Sequence, residues 1–153
     1  MTHSFIILRR GIAKMSAPND GGRRPGILVV DDDPGIRENI ADLLSTEPYR
    51  VFSAADADEA LRLLEVEPID LLVTDFQMPG RNGVELIEAA RKANHPIPAI
   101  LMTAYLYVYE QIDEDRRHDI ALLRKPFDAD EILQTVARGL ANGTLGRGAE
   151  RAP

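Results

Sequence analysis

The sequence predicts an α/β fold, a doubly wound parallel sheet whose five strands alternate along the chain with five helices. Short aliphatic runs recur five times along the chain, and segments with apolar residues at helical spacing follow them. A polar or charged group comes directly after four of the five runs. At 153 residues the chain is about one domain long, so the alternation favours a single sheet with helices on both faces.

The composition limits the chemistry that the chain can perform. It contains no cysteine, which excludes disulfides, zinc–thiolate sites and thiol catalysis. The three histidines, His3, His95 and His118, are too scattered to form a set of metal ligands. A bound metal should therefore be one that prefers oxygen ligands.

Charge is distributed unevenly along the chain. The net formal charge is −7, but residues 1–26 carry +4 and residues 27–143 carry −12. We expect residues 1–25 to be a disordered basic extension, residues 26–142 to be the folded domain, and residues 143–153 to be a flexible tail. An acidic domain of this kind is not expected to bind nucleic acid directly.

The N-terminal segment shows no targeting signal. Its apolar run, residues 5–8, is too short for the core of a signal peptide or for a membrane span. We therefore expect a cytoplasmic protein without membrane contact. Met15 is a second candidate start of translation, and truncation at that residue would test whether the basic arm has a function.

The first strand is predicted over residues 26–30, and the first helix begins at Pro34. Asp33 before Pro34 is typical of an N-cap followed by a proline in the first helical position. Asp31 and Asp32 remain unexplained, because two adjacent carboxylates repel each other unless a cation or another partner is present. The apolar face of this helix is predicted to consist of Ile36, Ile40, Leu43 and Leu44.

The second and third strands are predicted over residues 49–53 and 69–74. Asp56 and Glu59 have capping-box spacing at the start of the intervening helix. The third strand delivers Asp75 to a loop, and on this segment alone a solvated loop aspartate is the simpler interpretation. The helix presents an apolar face of Ala57, Ala60, Leu61 and Leu64.

The second half of the chain continues the alternation. Thr103 follows the fourth strand, Lys125 follows the fifth, and Asp128 with Glu131 again has capping-box spacing. The helical faces are predicted from Val84, Ile87 and Ala90, and from Ile132, Leu133, Val136 and Leu140. In order, the elements are a helix over 84–93, a strand over 99–102, a short helix within 107–116, a strand over 120–123 and a last helix.

Parallel strands bring the polar groups that follow them to one edge of the sheet. The three carboxylates of Asp31, Asp32 and Asp75 would suit Mg²⁺ there. A lysine such as Lys125 and a hydroxyl such as that of Thr103 suit phosphoryl oxygens. An aspartate can act as a nucleophile and carry an acyl phosphate, so the constellation predicts Mg²⁺-dependent phosphorylation of Asp75.

Over residues 26–142 the chain resembles the receiver domain of two-component response regulators, the family of the bacterial chemotaxis receiver. The resemblance implies a flavodoxin-like sheet with strand order 2-1-3-4-5. It rests on four motifs in matching order and spacing, namely Val30-Asp31-Asp32, Thr74-Asp75 with Met78-Pro79 and Gly83, Thr103-Ala104, and Lys125-Pro126-Phe127.

The resemblance also implies a role for each site residue. Asp75 would be the phospho-acceptor, and Thr103 and Lys125 would contact the phosphoryl group. The bond between Lys125 and Pro126 is often cis in this family. The Mg²⁺ ligands would be Asp32, Asp75 and the backbone carbonyl of Gln77, with Asp31 acting largely through a metal-bound water.

Two positions depart from the pattern of the family. Leu122 stands where an aromatic residue usually responds to movement of the threonine, and His118-Asp119 replaces small residues before the fifth strand. Phosphorylation could therefore be read out through one of three tyrosines instead. Packing is the interpretation that we favour for these side chains, which are Tyr105, Tyr107 and Tyr109.

The combined prediction is a single-domain response regulator, because only ten residues follow Gly143. It would receive phosphate from a histidine kinase or a histidine phosphotransfer protein and then bind an unidentified target, without being an enzyme in its own right. One alternative is a pseudo-receiver that binds partners without phosphorylation. A phosphohydrolase of the haloacid dehalogenase type is disfavoured, because Gln77 stands where its second aspartate would be.

Overall fold

The computed structural model describes residues 22–93 and 95–151, with the side chains of 116, 118 and 143–151 excepted. The predictions for residues 1–21, including the start at Met15, lie outside the described residues. Within the described ranges, no helix is both long enough and apolar enough to cross a membrane.

The described strands form one parallel sheet in the order β2-β1-β3-β4-β5, as predicted. β1, β3 and β4 are buried along their whole length, which explains their continuous apolar sequences. β3 starts and ends later than predicted, so that Asp75 is its last residue. The strands are β1 (Gly26–Val30), β2 (Arg50–Ala54), β3 (Leu71–Asp75), β4 (Ala99–Thr103) and β5 (Ile120–Arg124).

Five α-helices lie in the described part of the chain, and side-chain caps start four of them. Asp33 and Asp56 cap α1 and α2 as predicted, and Asp128 with Glu131 forms the reciprocal pair at α5. Asn82, which was not predicted as a cap, forms a full capping box with Glu85 at α3. The helices are α1 (Pro34–Leu44), α2 (Ala57–Val66), α3 (Gly83–Lys92), α4 (Tyr107–Glu110) and α5 (Ala129–Arg151).

The last helix is longer than predicted. The apolar pattern ends at Leu140, yet the helical backbone continues to Arg151 through the segment that was expected to be a tail. Gly143, Gly146 and Gly148 each disfavour a helix, which is why a tail was predicted, but no proline blocks the helix before Pro153.

The core consists of two apolar clusters, one on each face of the sheet. Alternate residues of β1 separate in this way, with Leu28 and Val30 in one cluster and Ile27 and Val29 in the other. The first cluster includes α2 and α3, and the second includes α1 and α5. The prediction for Ile36 was wrong, because its side chain is 38% exposed while Ile40 and Leu44 are buried.

The segment between β4 and β5 contains a single α-helical turn, α4, and a 3₁₀ helix over Glu114–Asp119. Packing is the wrong interpretation for Tyr105 and Tyr107, which are 45% and 56% exposed. Their rings contact each other instead, with centroids 5.7 Å apart. Tyr109 does pack against the core, and Val108 is fully buried beside it.

Candidate functional site

The sheet brings the predicted polar residues to one edge. Asp31 follows β1, Asp75 ends β3, Thr103 ends β4 and Lys125 follows β5. Because all the strands are parallel, these positions share the carboxyl edge of the sheet, where ligands bind in folds of this class.

Three carboxylates meet at this edge. Asp31, Asp32 and Asp75 each offer an oxygen atom, and these oxygens all lie within 4.8 Å of one another. Asp31 and Asp75 are buried, whereas Asp32 is exposed to solvent. The exposed position of Asp32 leaves one side of the cluster open to water and to a ligand.

Asp31 is buried, and a hydrogen bond satisfies only one of its two carboxylate oxygens. Its Oδ1 atom accepts the backbone N–H of Asp33 at 2.9 Å. Its Oδ2 atom is buried and has no hydrogen-bond partner among the described residues. Burial raises the pKa of the Asp31 carboxyl above its ordinary value of 3.8, the Asp33 amide lowers it, and the charge of Asp75 raises it further.

An orphaned, buried carboxylate oxygen is costly unless a cation or another donor satisfies it. The oxygen-only donor set and its open side match what Mg²⁺ requires, since this ion uses few protein ligands and retains several waters. The cluster thus fits a hard divalent cation.

Asp75 has a direct cationic partner. The Nζ atom of Lys125 lies 2.6 Å from Oδ1 of Asp75, and the lysine is only partly exposed. The backbone of Lys125 is tied to β4, because its N–H donates to the carbonyl oxygen of Thr103 at 2.9 Å. The bond between Lys125 and Pro126 is cis.

Thr103 is buried beside the same edge, at 3% exposure. Its Oγ1 atom accepts the backbone N–H of Tyr105 at 3.0 Å. A hydroxyl oxygen that already accepts one hydrogen bond still has its own O–H to donate, so Thr103 can offer a donor to an anionic ligand.

The loop after Asp75 is held closely against the sheet. The N–H of Phe76 donates to the carbonyl of Met102 at 2.9 Å, and the N–H of Gly83 donates to the carbonyl of Phe76 at 2.8 Å. A Cβ atom at position 83 would overlap the carbonyl oxygen of Asp75, so this close approach requires glycine. Gln77 lies in the loop with its side chain exposed.

The contact of Arg37 with Asp31 was not predicted from the sequence. The guanidinium of Arg37 donates from Nη1 to the carbonyl oxygen of Asp31 at 2.7 Å. A cation in the first turn of a helix, where the helix dipole disfavours it, is the sequence signal that could have indicated this contact.

These geometries define what the arrangement can do chemically. A carboxylate with a lysine ammonium in contact, a threonine hydroxyl and a cluster of three carboxylates share the carboxyl edge of the sheet. They provide a nucleophile and the groups that stabilise charge on phosphoryl oxygens. By contrast, Gln77 offers no acid for the hydrolase chemistry considered above.

Comparisons with known proteins agree with this description. A family model for the response regulator receiver domain matches residues 27–137. Sporulation initiation phosphotransferase F of Bacillus subtilis (strain 168) is 35% identical over 115 residues, or 74% of this chain and 92% of that protein. The chemotaxis response regulator CheY4 of Vibrio cholerae superposes with a TM-score of 0.69 at 27% identity, covering 76% of this chain and 99% of that one.

Other relatives are much longer than the matched region. The transcriptional regulatory protein GlrR of Escherichia coli (strain K12) is 31% identical over 110 residues, which is 72% of this chain but only 25% of that protein. The chain therefore spans about a quarter of the length of GlrR. The similarity concerns one domain that occurs both alone and joined to others. With its strand order, its acidic edge and these matches, the chain belongs to the response regulator receiver domain family of bacterial two-component systems.

Proposed function

We propose that Asp75 accepts a phosphoryl group from a histidine kinase or a histidine phosphotransfer protein, and that this modification switches the binding of a partner. Receiver domains are signalling modules that such proteins phosphorylate. The contact of Lys125 with Asp75, at 2.6 Å, is the observation that carries the assignment to this residue. No other described aspartate combines burial in the sheet with a lysine partner at hydrogen-bonding distance.

The chemical step is a transfer between two nucleophiles. A carboxylate oxygen of Asp75 attacks the phosphorus atom, the new O–P bond forms, and the P–N bond of the donor phosphohistidine breaks. The electron pair of that bond stays on the imidazole nitrogen, which takes up a proton. Lys125 changes partner from the carboxylate to the phosphoryl oxygens, and the Thr103 hydroxyl donates a second hydrogen bond.

Asp31, Asp32, Asp75 and the main-chain carbonyl of Gln77 would hold Mg²⁺. When bound, this ion neutralises part of the negative charge on the phosphoryl oxygens. The orphaned Oδ2 atom of Asp31 supports this assignment, because the acidic cluster lacks a compensating charge on that side. The Lys125 ammonium contacts Asp75 directly, whereas the buried Oδ2 atom of Asp31 has no hydrogen-bond partner among the described residues.

Acetyl phosphate tests the proposal directly, because it replaces the protein donor. The protein is incubated with Mg²⁺ and acetyl phosphate, and its intact mass is measured. We expect the mass of one phosphoryl group to be gained in the unsubstituted protein and in Asp42→Asn, and to be absent from Asp75→Asn. An adduct that persists in Asp75→Asn contradicts the assignment. A complete absence of adduct would favour the phosphorylation-independent pseudo-receiver.

A further inference from the structure

Arg37 makes an unusual contact at the start of α1. It is the fourth residue of the helix, and its N–H donates to the carbonyl of Asp33 at 2.9 Å. Side chains in a helix point toward its N-terminus, so the guanidinium extends back over the loop that leads into α1. There its Nη1 atom donates to the carbonyl oxygen of Asp31 at 2.7 Å, in a half-buried position.

This contact joins the helix to the residue that begins the acidic cluster. The backbone of Asp31 is also tied to the sheet, since its N–H donates to the carbonyl of Ala54 at 3.2 Å. Its side chain is tied to the loop through the N–H of Asp33. Arg37 therefore contacts the carbonyl of Asp31, the main-chain group that neither of these two bonds uses.

We propose that Arg37 is a positioning residue for the acidic site, which acts through the main chain of Asp31 to hold Asp31 and Asp32 in the orientation that accepts a cation. The inference rests on the proposed function above. The position of the charge is otherwise unfavourable, because the N-terminal end of a helix carries a partial positive charge. The charge-assisted hydrogen bond to the carbonyl of Asp31 offsets this cost.

The sign of the effect on Mg²⁺ separates positioning from simple electrostatics. Removing a positive charge next to a cation site should by itself tighten the binding of Mg²⁺. Loss of the hydrogen bond should loosen the loop and weaken binding. A weaker affinity in Arg37→Met is therefore the signature of positioning.

The experiment compares the unsubstituted protein with three variants. Arg37→Met keeps the aliphatic part of the side chain, Arg37→Lys keeps the charge and one donor, and Arg62→Met removes an exposed arginine from α2 as the matched control. The affinity for Mg²⁺ is measured by isothermal titration calorimetry. The exchange rate of the Asp33 amide is measured by NMR without metal, and urea unfolding monitors global stability.

We expect Arg37→Met to weaken Mg²⁺ binding and to speed exchange of the Asp33 amide, each by about tenfold. Arg37→Lys, which keeps one donor on a differently shaped side chain, should show a smaller but measurable loss of Mg²⁺ affinity and of Asp33 amide protection. Arg62→Met should change neither quantity. If Arg37→Met changes only the global stability, or binds Mg²⁺ more tightly, the inference is wrong. If Arg37→Met does not fold, equal values for Arg37→Lys and the unsubstituted protein overturn it.

The two proposals fail in different ways. If the unsubstituted protein does not bind Mg²⁺, the proposed function is contradicted at its metal site. The Asp33 amide is measured without metal, so it still reports whether Arg37 holds the loop. If Mg²⁺ binds and phosphate is taken up, but both Arg37 variants behave like the unsubstituted protein, only the positioning role is contradicted.

Discussion

The ammonium group of Lys125 contacts the carboxylate of Asp75 at 2.6 Å, although β4 lies between the strands that carry these two residues. The lysine stands just beyond the end of β5 and reaches across the carboxyl edge of the sheet. Its ammonium group contacts Asp75, one of three clustered carboxylates, while the buried Oδ2 atom of Asp31 has no hydrogen-bond partner among the described residues. Asp75, the proposed nucleophile, therefore already has a cationic partner. The buried oxygen of Asp31, in the cluster proposed to hold the cation, has no hydrogen-bond donor among the described residues.

Replacing Lys125 should slow phosphorylation without changing the identity of the acceptor. We expect Lys125→Met to take up phosphate from acetyl phosphate about a hundredfold more slowly, because one stabilising group for the phosphoryl oxygens is lost. The rate is measured by intact mass against time. Lys92→Met is the control, since it removes an exposed lysine from α3. Equal rates for Lys125→Met and the control would contradict the role of Lys125.

Replacing Asp31 should stabilise the metal-free protein. Asp31→Asn keeps the acceptor for the Asp33 amide and removes a buried charge, so we expect the free energy of unfolding in EDTA to rise by about 1 kcal/mol. Mg²⁺ should stabilise the unsubstituted protein more than it stabilises Asp31→Asn. Urea unfolding followed by circular dichroism measures both quantities, with Asp42→Asn on the exposed side of α1 as the control. A less stable Asp31→Asn would contradict the prediction.

Asp31 should also make the free energy of unfolding depend on pH. Burial raises the pKa of Asp31 above 3.8, Asp75 and Asp32 raise it further, and Lys125 and the Asp33 amide oppose the rise. A raised pKa in the folded state contributes stability that is complete below pH 3.8 and is lost as the pH rises through the raised pKa. In EDTA, the stability gained by Asp31→Asn should therefore grow with pH across this window. A gain that is constant with pH would contradict this explanation.

A methyl group at position 83 should disturb the loop that follows Asp75. The added Cβ of Gly83→Ala would overlap the carbonyl of Asp75 and lie 3.1 Å from Cα of Phe76. Overpacking against main-chain atoms should outweigh the better helix propensity of alanine, with a net loss of about 2 kcal/mol.

Gly80→Ala is the matched control for this prediction. Gly80 has a φ of 81° but no atom within 4 Å of an added Cβ, so only backbone strain of about 1 kcal/mol is expected. Thermal and urea unfolding compare the two variants. If Gly80→Ala proves more destabilising than Gly83→Ala, backbone conformation rather than close packing controls this loop.

Arg117 should hold the irregular segment between β4 and β5 together. Its Nε and Nη2 atoms donate to the carbonyls of Ile112 and Glu110 at 2.8 and 3.1 Å, and its guanidinium lies 5.1 Å from the ring centroid of Tyr109. We expect Arg117→Met to lower the local stability of this segment by about 2 kcal/mol.

Hydrogen exchange measures this effect residue by residue. Amides of residues 105–119 should exchange faster in Arg117→Met, while those of β1 and β3 should not. Arg124→Met removes an exposed arginine from β5 and should leave the segment unchanged. Uniformly faster exchange across the whole domain would mean that Arg117 supports global stability instead.

Local pattern was sufficient to predict much of this protein. The aliphatic runs identified all five described strands, and the capping residues Asp33, Asp56 and Asp128 were read correctly. Periodicity and capping depend on residues within a few positions of one another, so one sequence contains the information. Parallel pairing then placed the site residues at a common edge, as their positions after the strands had indicated.

Tertiary structure alone decided how those residues meet and which of the apolar ones are buried. Ile36, Tyr105 and Tyr107 have large apolar or aromatic side chains, yet they are exposed. Burial depends on which surface a neighbouring element covers, and local sequence does not contain that information. The contact of Arg37 with Asp31, that of Lys125 with Asp75, and the orphaned Oδ2 atom of Asp31 depend on distances between separate elements. The sequence by itself determined which groups reach the edge of the sheet, and the packing of the elements determined which of those groups lie within reach of one another.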